Sequence, residues 1–245
     1  MYSLTPLLRV NELFECMIVR RLSRFTLLAE IEGCREIVYV NNTGRLRDFL
    51  VHGKKGYCIE NMRGRLRYRV IGIEDHGYAA LIDTNLQEKS FLLAQKAGLL
   101  PWLISCTLYR RNYRVGDAVI DFAFKCNGDT PVLVELKSAV MRLCGNIAGY
   151  PDAPTQRGRY QLLELTKYAK QGGHAIVVFI VGIPMASLFK LHCREDARIA
   201  DVARIALRSG VLFKAVNIFL DPINQVIVMD NPDMSLDMSC TDTCT

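Results

Sequence analysis

The sequence predicts a small β-barrel followed by a mixed α/β domain. Up to about Thr84, short strand-like runs are separated by Gly and Asn turns, and no long helical periodicity is present. From residue 86 onward, segments with helical spacing alternate with apolar strands. A chain of 245 residues is long enough for two domains with separate cores. We therefore predict domains at residues 1–84 and 85–230. The polar end of the chain, residues 231–245, is predicted to be a flexible tail.

Five strand-like segments account for the first domain. In chain order they are FTLLAEI, EIVYVN, GYCIEN, RLRYRVIGIE and YAALID. Strand-forming residues bounded by Gly and Asn are typical of short antiparallel strands. Five such strands without a long helix fit a small closed barrel, and the OB fold is a barrel of this size.

The second domain is predicted to be a mixed sheet flanked by helices. Its elements in chain order are a helix over residues 86–101, strands over 118–125 and 130–140, a helix over 155–171, the strand AIVVFIVGI, a helix over 196–210, and the strands LFKAVNIFL and QVIVMD. The turn CNGDT between the first two strands predicts a hairpin. Gly98 and Pro101 end the first helix, and Gly210 ends the last one.

The composition favours a globular protein of the cytoplasm without a membrane partner. Half of the residues are hydrophobic and 23% are charged. The longest apolar run, 175-AIVVFIVGIPMASLF-189, is too short to cross a bilayer and is interrupted by Pro184. The first residues lack the pattern of a signal peptide. Nine cysteines form no C-x-x-C pairs with zinc-like spacing, so we expect most of them to be small buried apolar residues.

Three charged side chains are predicted to meet on the hairpin. In the strand 130-TPVLVELKSAV-140, Glu135 and Lys137 project to the same side because side chains alternate along a strand. Asp121 lies near the middle of the preceding strand, so the hairpin can bring it beside Glu135. The alternative is a solvated strand face with an ordinary surface ion pair. The apolar surroundings favour a site over that alternative.

A divalent cation would explain two neighbouring carboxylates. Asp121 and Glu135 repel each other unless a cation lies between them, and oxygen ligands of this kind suit Mg²⁺ or Mn²⁺. The carbonyl of Leu136 could add a ligand. A metal held in this way can activate water and neutralise charge on a phosphate, and Lys137 would assist as a point charge. An Asp followed by E-x-K is the active-site signature of the PD-(D/E)xK nuclease superfamily.

The positive charge of the chain lies in its N-terminal part. Residues 1–70 contain 13 Lys or Arg and 7 Asp or Glu, and this excess equals the net charge of +6. Four arginines are predicted to share one side of a strand: Arg63, Arg65, Arg67 and Arg69. Such a row matches a phosphate backbone, which indicates nucleic-acid binding. A solvated outer face of the barrel is the alternative.

Two further basic segments leave alternatives open. In the NNTGR segment, Asn42 and Arg45 could contact a phosphate or the neighbouring domain, although Asn-Thr-Gly is also ordinary turn chemistry. The segment 109-YRRNYR-114 offers arginines together with tyrosines that could stack on bases, while burial of those tyrosines is equally compatible with the sequence.

Several ordered segments resemble the sugar fermentation stimulation protein family. They are RRLSRFTLLAEI, 41-NNTGRLRDFLVHG-53, 83-DTN-85, AGLLP, VIDF, 134-VELKS-138 and 150-YPDAPTQRG-158. The resemblance implies an N-terminal oligonucleotide-binding barrel, a C-terminal PD-(D/E)xK nuclease-like domain and DNA as the partner. The chain departs from the family at Ala118–Val119, at Gln161 and at Leu93. A DNA-binding regulator of sugar metabolism genes that keeps the nuclease fold without catalysis is therefore the alternative function.

The segment PDAPTQRG also has two interpretations. Asp152 could cap the helix that follows, with Pro154 setting its first turn. Alternatively, Asp152 and Thr155 add to the charged site, or the helix N-terminus holds a phosphate. Gln156 and Tyr160 match a Q-x3-Y spacing that some nucleases of this superfamily share. Gln156 and Arg157 are therefore further candidates for the site.

Overall fold

A closed barrel forms from five strands in the first third of the chain. The computed structural model describes residues 4–62, 64–128 and 130–240. The strands before the first helix are β1 (Thr5–Arg9), β2 (Phe14–Arg21), β3 (Thr26–Ile31), β4 (Cys34–Val40), β5 (Lys55–Glu60), β6 (Tyr68–Asp75) and β7 (Tyr78–Leu81). The ring runs β2-β3-β4-β6-β5 and returns to β2, with a parallel β4–β6 pair as its closure. The predicted five-stranded barrel is thus confirmed.

Two strands at the ends of the barrel segment differ from the prediction. The strand β2, which the sequence did not predict, closes the barrel by pairing with β3 and β5. The predicted fifth strand, β7, instead pairs with β6 and with a strand of the second domain. The barrel interior is apolar and contains Ile18, Leu27, Val38 and Val70, all fully buried.

The second domain is a mixed sheet between helices. Its elements are α1 (Thr84–Lys96), a 3-10 turn (Pro101–Leu103), β8 (Thr107–Val115), β9 (Ala118–Lys125), β10 (Val132–Ala139), β11 (Arg142–Cys144), β12 (Ile147–Tyr150), α2 (Gln156–Lys170), β13 (His174–Val181), β14 (Leu188–Leu191), α3 (Ala197–Arg208), β15 (Leu212–Asp221), β16 (Val226–Asn231) and β17 (Ser235–Asp237). Strands β10, β13 and β15 are parallel neighbours, and β9 and β8 extend the sheet antiparallel to its edge.

The helices cover the two faces of this sheet. Phe91 of α1 lies in one apolar cluster with Phe122 and Val134. Leu165 of α2 lies in the other cluster, together with Ala203 of α3, Leu133 and Val177. The predicted helices and apolar strands are confirmed, whereas the polar strand β8 and the small sheet β11-β12-β14-β17 were not predicted.

The segments at both ends of the described chain add strands to the second domain. Strand β1 pairs with β16, so residues 5–9 extend the second sheet although they precede the barrel. Residues 231–240, predicted to be flexible, contain β17, which pairs with β14, and the buried Met234. Residues 241–245 lie outside the described residues.

Disulfides replace the predicted buried thiols at several positions. Cys106 is bonded to Cys126 and Cys193 to Cys240, and Cys144 is also disulfide-bonded. Only Cys16 and Cys58 match the expectation of small buried thiols among the described residues, since the free Cys34 is exposed. In the part of the chain that the structure covers, no helix is long and apolar enough to span a bilayer.

Candidate functional site

The candidate site lies where β9 and β10 separate. The two strands are paired only from Val132 to Val134 of β10, and the ladder stops before Asp121. Beyond that point, side chains replace the missing backbone bonds. The backbone N–H of Asp121 donates to Oε2 of Glu135 at 3.2 Å, and the N–H of Leu136 donates to Oδ2 of Asp121 at 2.7 Å. The gap between the strands thus brings the two carboxylates together.

The ammonium group of Lys137 is held on the same side as Glu135. Its Nζ donates to Oε1 of Glu135 at 2.7 Å and to Oε1 of Gln161 at 2.8 Å. Gln161, from α2, is buried, and its Nε2 donates to the carbonyl of Val119 at 3.0 Å. The sequence flagged Gln161 only as a departure from the family pattern. The structure shows that it fixes the position of Lys137.

Burial sets the electrostatics of the site. It raises the pKa of Asp121, and it raises the pKa of Glu135 to about 7, because a carboxylate loses its hydration in the apolar interior. Burial lowers the pKa of Lys137, but the charge of Glu135, its hydrogen bond to Lys137, and the charges of Tyr150 and Asp121 together outweigh this effect, so the net pKa is raised. Lys137 is therefore charged at neutral pH, whereas Glu135 is close to the midpoint of its titration. A cation beside the carboxylates would favour their charged forms.

A pocket of about 170 Å³ opens beside Asp121. Its wall includes Glu88 and Gln87 of α1, with Leu136 and Ser138 of β10. The carboxylate of Glu88 accepts a hydrogen bond from the guanidinium of Arg111 on β8. Glu88 was not predicted as a site residue, because nothing in the pattern of α1 shows which acid faces a strand that follows 30 residues later.

The segment PDAPTQRG connects the two domains instead of adding carboxylates to the site. Thr155, not Asp152, caps α2, since its hydroxyl accepts from the N–H of Gly158. Asp152 accepts from the N–H of Leu46 in the barrel at 3.0 Å. Burial raises the pKa of Asp152, and the bonds from the barrel backbone oppose that shift.

Gln156 does not take the position that the Q-x3-Y spacing predicted. Its side chain is exposed at the start of α2, and the hydroxyl of Tyr160 donates to Asp117. The amide that reaches the site belongs to Gln161. Arg157 is exposed, and its charge lowers the pKa of Asp121 against the larger effect of burial.

The predicted row of four arginines on one strand is wrong. Strand β6 begins at Tyr68, and residues 64–67 before it are not extended, so the alternation of side chains does not apply to them. Arg69 lies 3.1 Å from Oδ2 of the buried Asp83, at the start of α1, in a structural ion pair. Arg67 lies over the ring of Tyr68, and Arg65 is exposed. The prediction for Arg63 lies outside the described residues.

Asn42 and Arg45 contact the neighbouring domain. Asn42 is buried, and its Nδ2 donates to the carbonyl of Ile82 at 2.9 Å and to Oγ of Ser138 at 3.3 Å. Arg45 forms an ion pair with Glu195 at 2.5 Å. Of the alternatives for the NNTGR segment, the structure thus favours the contact between domains. The predicted phosphate contact of Asn42 is wrong, because its amide is enclosed and bonded within the protein.

Comparisons with known proteins agree with the arrangement of domains. The model of the SfsA N-terminal OB domain matches residues 19–82, and that of the Sugar fermentation stimulation protein RE domain matches residues 85–224. This protein belongs to the sugar fermentation stimulation protein family. The family homolog of Pyrococcus furiosus is 39% identical over 90% of this chain and 95% of its own length. The homolog of Archaeoglobus fulgidus is 34% identical over 94% of this chain and 98% of its own length.

A solved structure of the family has the same fold. It is described as Pyrococcus furiosus SfsA in complex with Ca²⁺, and it superposes on this family member with a TM-score of 0.91 at 37% identity. The match covers 95% of this chain and 99% of the other. The predicted barrel and α/β domain thus correspond to the two domains of the family.

Proposed function

We propose that this protein binds DNA and hydrolyses phosphodiester bonds with Mg²⁺ or Mn²⁺ at the site of Asp121, Glu135 and Lys137. The observation that carries the proposal is the convergence of these three side chains in the gap between β9 and β10. A buried carboxylate, a half-buried carboxylate and an ammonium with little exposure are costly to keep in apolar surroundings, so the arrangement indicates a function.

The residues present fit a hard divalent cation. Asp121 and Glu135 offer carboxylate oxygens, which Mg²⁺ and Ca²⁺ both prefer. The Ca²⁺ in the Pyrococcus furiosus structure supports cation binding in the family. Within the described residues, no three His, Cys, Asp or Glu side chains form a metal-binding group. The protein would therefore supply two carboxylates, and water and phosphate oxygens would complete the coordination, as is common for Mg²⁺.

Each side chain of the site has a separate role in the proposed hydrolysis. Asp121 and Glu135 would hold the cation, which lowers the pKa of bound water and neutralises charge on the phosphate. Lys137 places a fixed positive charge beside Glu135, where it stabilises charge that develops on the attacking or phosphate oxygen. Gln161 keeps the ammonium in that position by accepting its second hydrogen bond.

A cleavage assay tests this function. Linear and circular DNA are incubated with Mg²⁺, with Mn²⁺ or with EDTA, and we expect cleavage only with a metal. Lys137→Met should abolish cleavage, whereas the control Lys170→Met, at an exposed position near the end of α2, should leave it unchanged. Cleavage that persists in Lys137→Met would contradict the assignment of the site.

A DNA-binding regulator without catalysis is the second candidate. It is favoured by the small number of carboxylates at the site, since no group of three His, Cys, Asp or Glu residues is found there among the described residues. This candidate predicts DNA binding in EDTA and no cleavage of any substrate with either metal. DNA binding together with metal-dependent cleavage excludes it.

A further inference from the structure

The outermost strand of the second sheet is basic and lies beside the candidate site. Strand β8 has the sequence TLYRRNYRV, with three arginines and no acidic residue. Among the described strands it pairs only with β9, and its first six residues are exposed. Its nearness to the site is shown by Arg111, which donates a hydrogen bond to Glu88 in the wall of the pocket that also contains Asp121.

The arginines of β8 point to two different sides of the sheet. Arg111 pairs with Phe122 in register, lies 5.7 Å above its ring and bonds to Glu88, so it is on the side of α1. Arg110, one position earlier, points to the opposite side because neighbours in a strand alternate.

The alternation is interrupted at Asn112, which has a φ of 52°. Tyr113 consequently packs against the core on the side of α2. Arg114 then returns to the side of α1, where Arg111 is. Arg111 and Arg114 thus form a pair of cations on the side of the pocket that contains Glu88 and Asp121, while Arg110 does not belong to this pair.

We propose that Arg111 and Arg114 form the phosphate-binding surface of this protein, and that Arg111 exchanges Glu88 for a DNA phosphate when DNA binds. The inference rests on the proposed function, because it assumes DNA as the partner. This surface on β8 replaces the one that the sequence predicted on the barrel, where Arg69 already forms an ion pair with the buried Asp83.

The exchange at Arg111 is physically favourable. The side chain of Arg111 is 55% exposed and that of Glu88 is 30% exposed. Water and salt therefore screen the attraction between them, and the ion pair is weak. A guanidinium binds a phosphate through two parallel hydrogen bonds and releases counterions from the DNA. Arg114 has no ion-pair partner among the described residues, so it can bind a neighbouring phosphate without losing a contact.

Binding of a short fluorescein-labelled DNA duplex, followed by anisotropy in EDTA over a range of salt concentrations, tests the proposal without any need for cleavage. Each phosphate contact releases roughly 0.9 counterion, so Arg111→Ser and Arg114→Ser should each raise the Kd about eightfold at about 0.1 M salt. Each should also make the slope of log Kd against log salt shallower by about one. Arg110→Ser is the matched control on the other side of the same strand, and it should bind with a nearly unchanged Kd.

Replacement of Glu88, the acid partner of Arg111, should change the Kd of the duplex in the opposite direction. Glu88→Gln frees Arg111 and should lower the Kd of the duplex, and this gain should disappear in Glu88→Gln combined with Arg111→Ser. A gain that persists in the double variant would show a general effect of charge and overturn the exchange.

The remaining outcomes are also decisive. Arg111→Ser and Arg114→Ser variants that keep the thermal midpoint and the Kd of wild type would overturn the surface while leaving the proposed function intact. Failure of the wild-type protein to bind any DNA would overturn both.

Discussion

Replacing Glu135 with Gln should remove a pH dependence of stability that originates at the candidate site. Burial raises the pKa of Glu135 from the ordinary value of 4.5 to about 7, and the charge of Lys137 only partly opposes this shift. Between these two pH values the folded protein binds a proton that the unfolded chain has released. The free energy of unfolding must therefore fall as the pH rises through this range, and the loss is complete above about 7.

The shift also gives the magnitude of the effect. A difference of roughly 2.5 pKa units corresponds to about 3 kcal/mol, since each unit is worth about 1.4 kcal/mol. Urea unfolding of the metal-free protein in EDTA, at several pH values between about 5 and 7.5, measures it. Over this pH range, the free energy of unfolding of Glu135→Gln should fall by about 3 kcal/mol less than that of wild type. The control Glu30→Gln, at an exposed position of β3, should keep the wild-type slope. If the free energy of unfolding changes equally with pH in wild type and in Glu135→Gln, the raised pKa of Glu135 in the folded protein is refuted.

Three further changes test contacts around the site. Asp152→Ala leaves backbone N–H groups of the barrel loop unpaired and should lower the free energy of unfolding by about 1–3 kcal/mol in urea denaturation; an unchanged value would contradict its role in joining the domains. Replacing Cys193 and Cys240 with Ser opens a loop with a sequence separation of 47 residues. Loss of this constraint should lower the free energy of unfolding by up to about 4 kcal/mol, measured by urea denaturation under non-reducing conditions. Gln161→Met should reduce metal-dependent cleavage roughly 10- to 100-fold with an unchanged Kd for DNA, because only the orientation of the lysine is lost.

The parts of the fold that could be predicted from the sequence are those with a local signal. The apolar strand β13 and the amphipathic helix α3 follow from hydrophobicity and its period. The hairpin of β9 and β10 follows from a polar turn between two apolar runs, and it places Asp121 opposite Glu135 without any knowledge of the rest of the chain.

The features that were missed depend on contacts between distant segments. Strand β8 is polar along most of its length because it lies at the edge of the sheet, so neither a period of two nor an apolar run marks it. The pairing of β1 with β16 joins residues more than 200 positions apart, and no local pattern specifies it. Gln161 reaches Lys137 only because α2 packs across the sheet, which the sequence of α2 alone does not show.

The prediction of a row of four arginines on one strand was wrong for a different physical reason. The alternation of side chains holds only in an extended chain, and residues 64–67 before β6 are not extended. Arg69 satisfies the rule, since it lies in β6, but the same geometry directs it to the buried Asp83. A basic segment therefore identifies a nucleic-acid surface only when its cations are not held by buried acid partners, as Arg69 is by Asp83.

The two most specific sequence blocks, NNTGR and PDAPTQRG, have a physical explanation in the contact between the domains. A Cβ atom on Gly44 would lie 2.5 Å from Oδ2 of Asp152, so only glycine allows the loop to approach this carboxylate. Arg21 donates to the carbonyls of Gly44 and Arg45 and holds the same loop from the barrel side. The barrel is thereby fixed next to Ser138, directly after Lys137 in β10, where Asn42 makes its contact. The unusual composition of these blocks therefore follows from close packing of backbone and carboxylate beside the strand of the candidate site, and direct contact with a substrate is not needed to explain it.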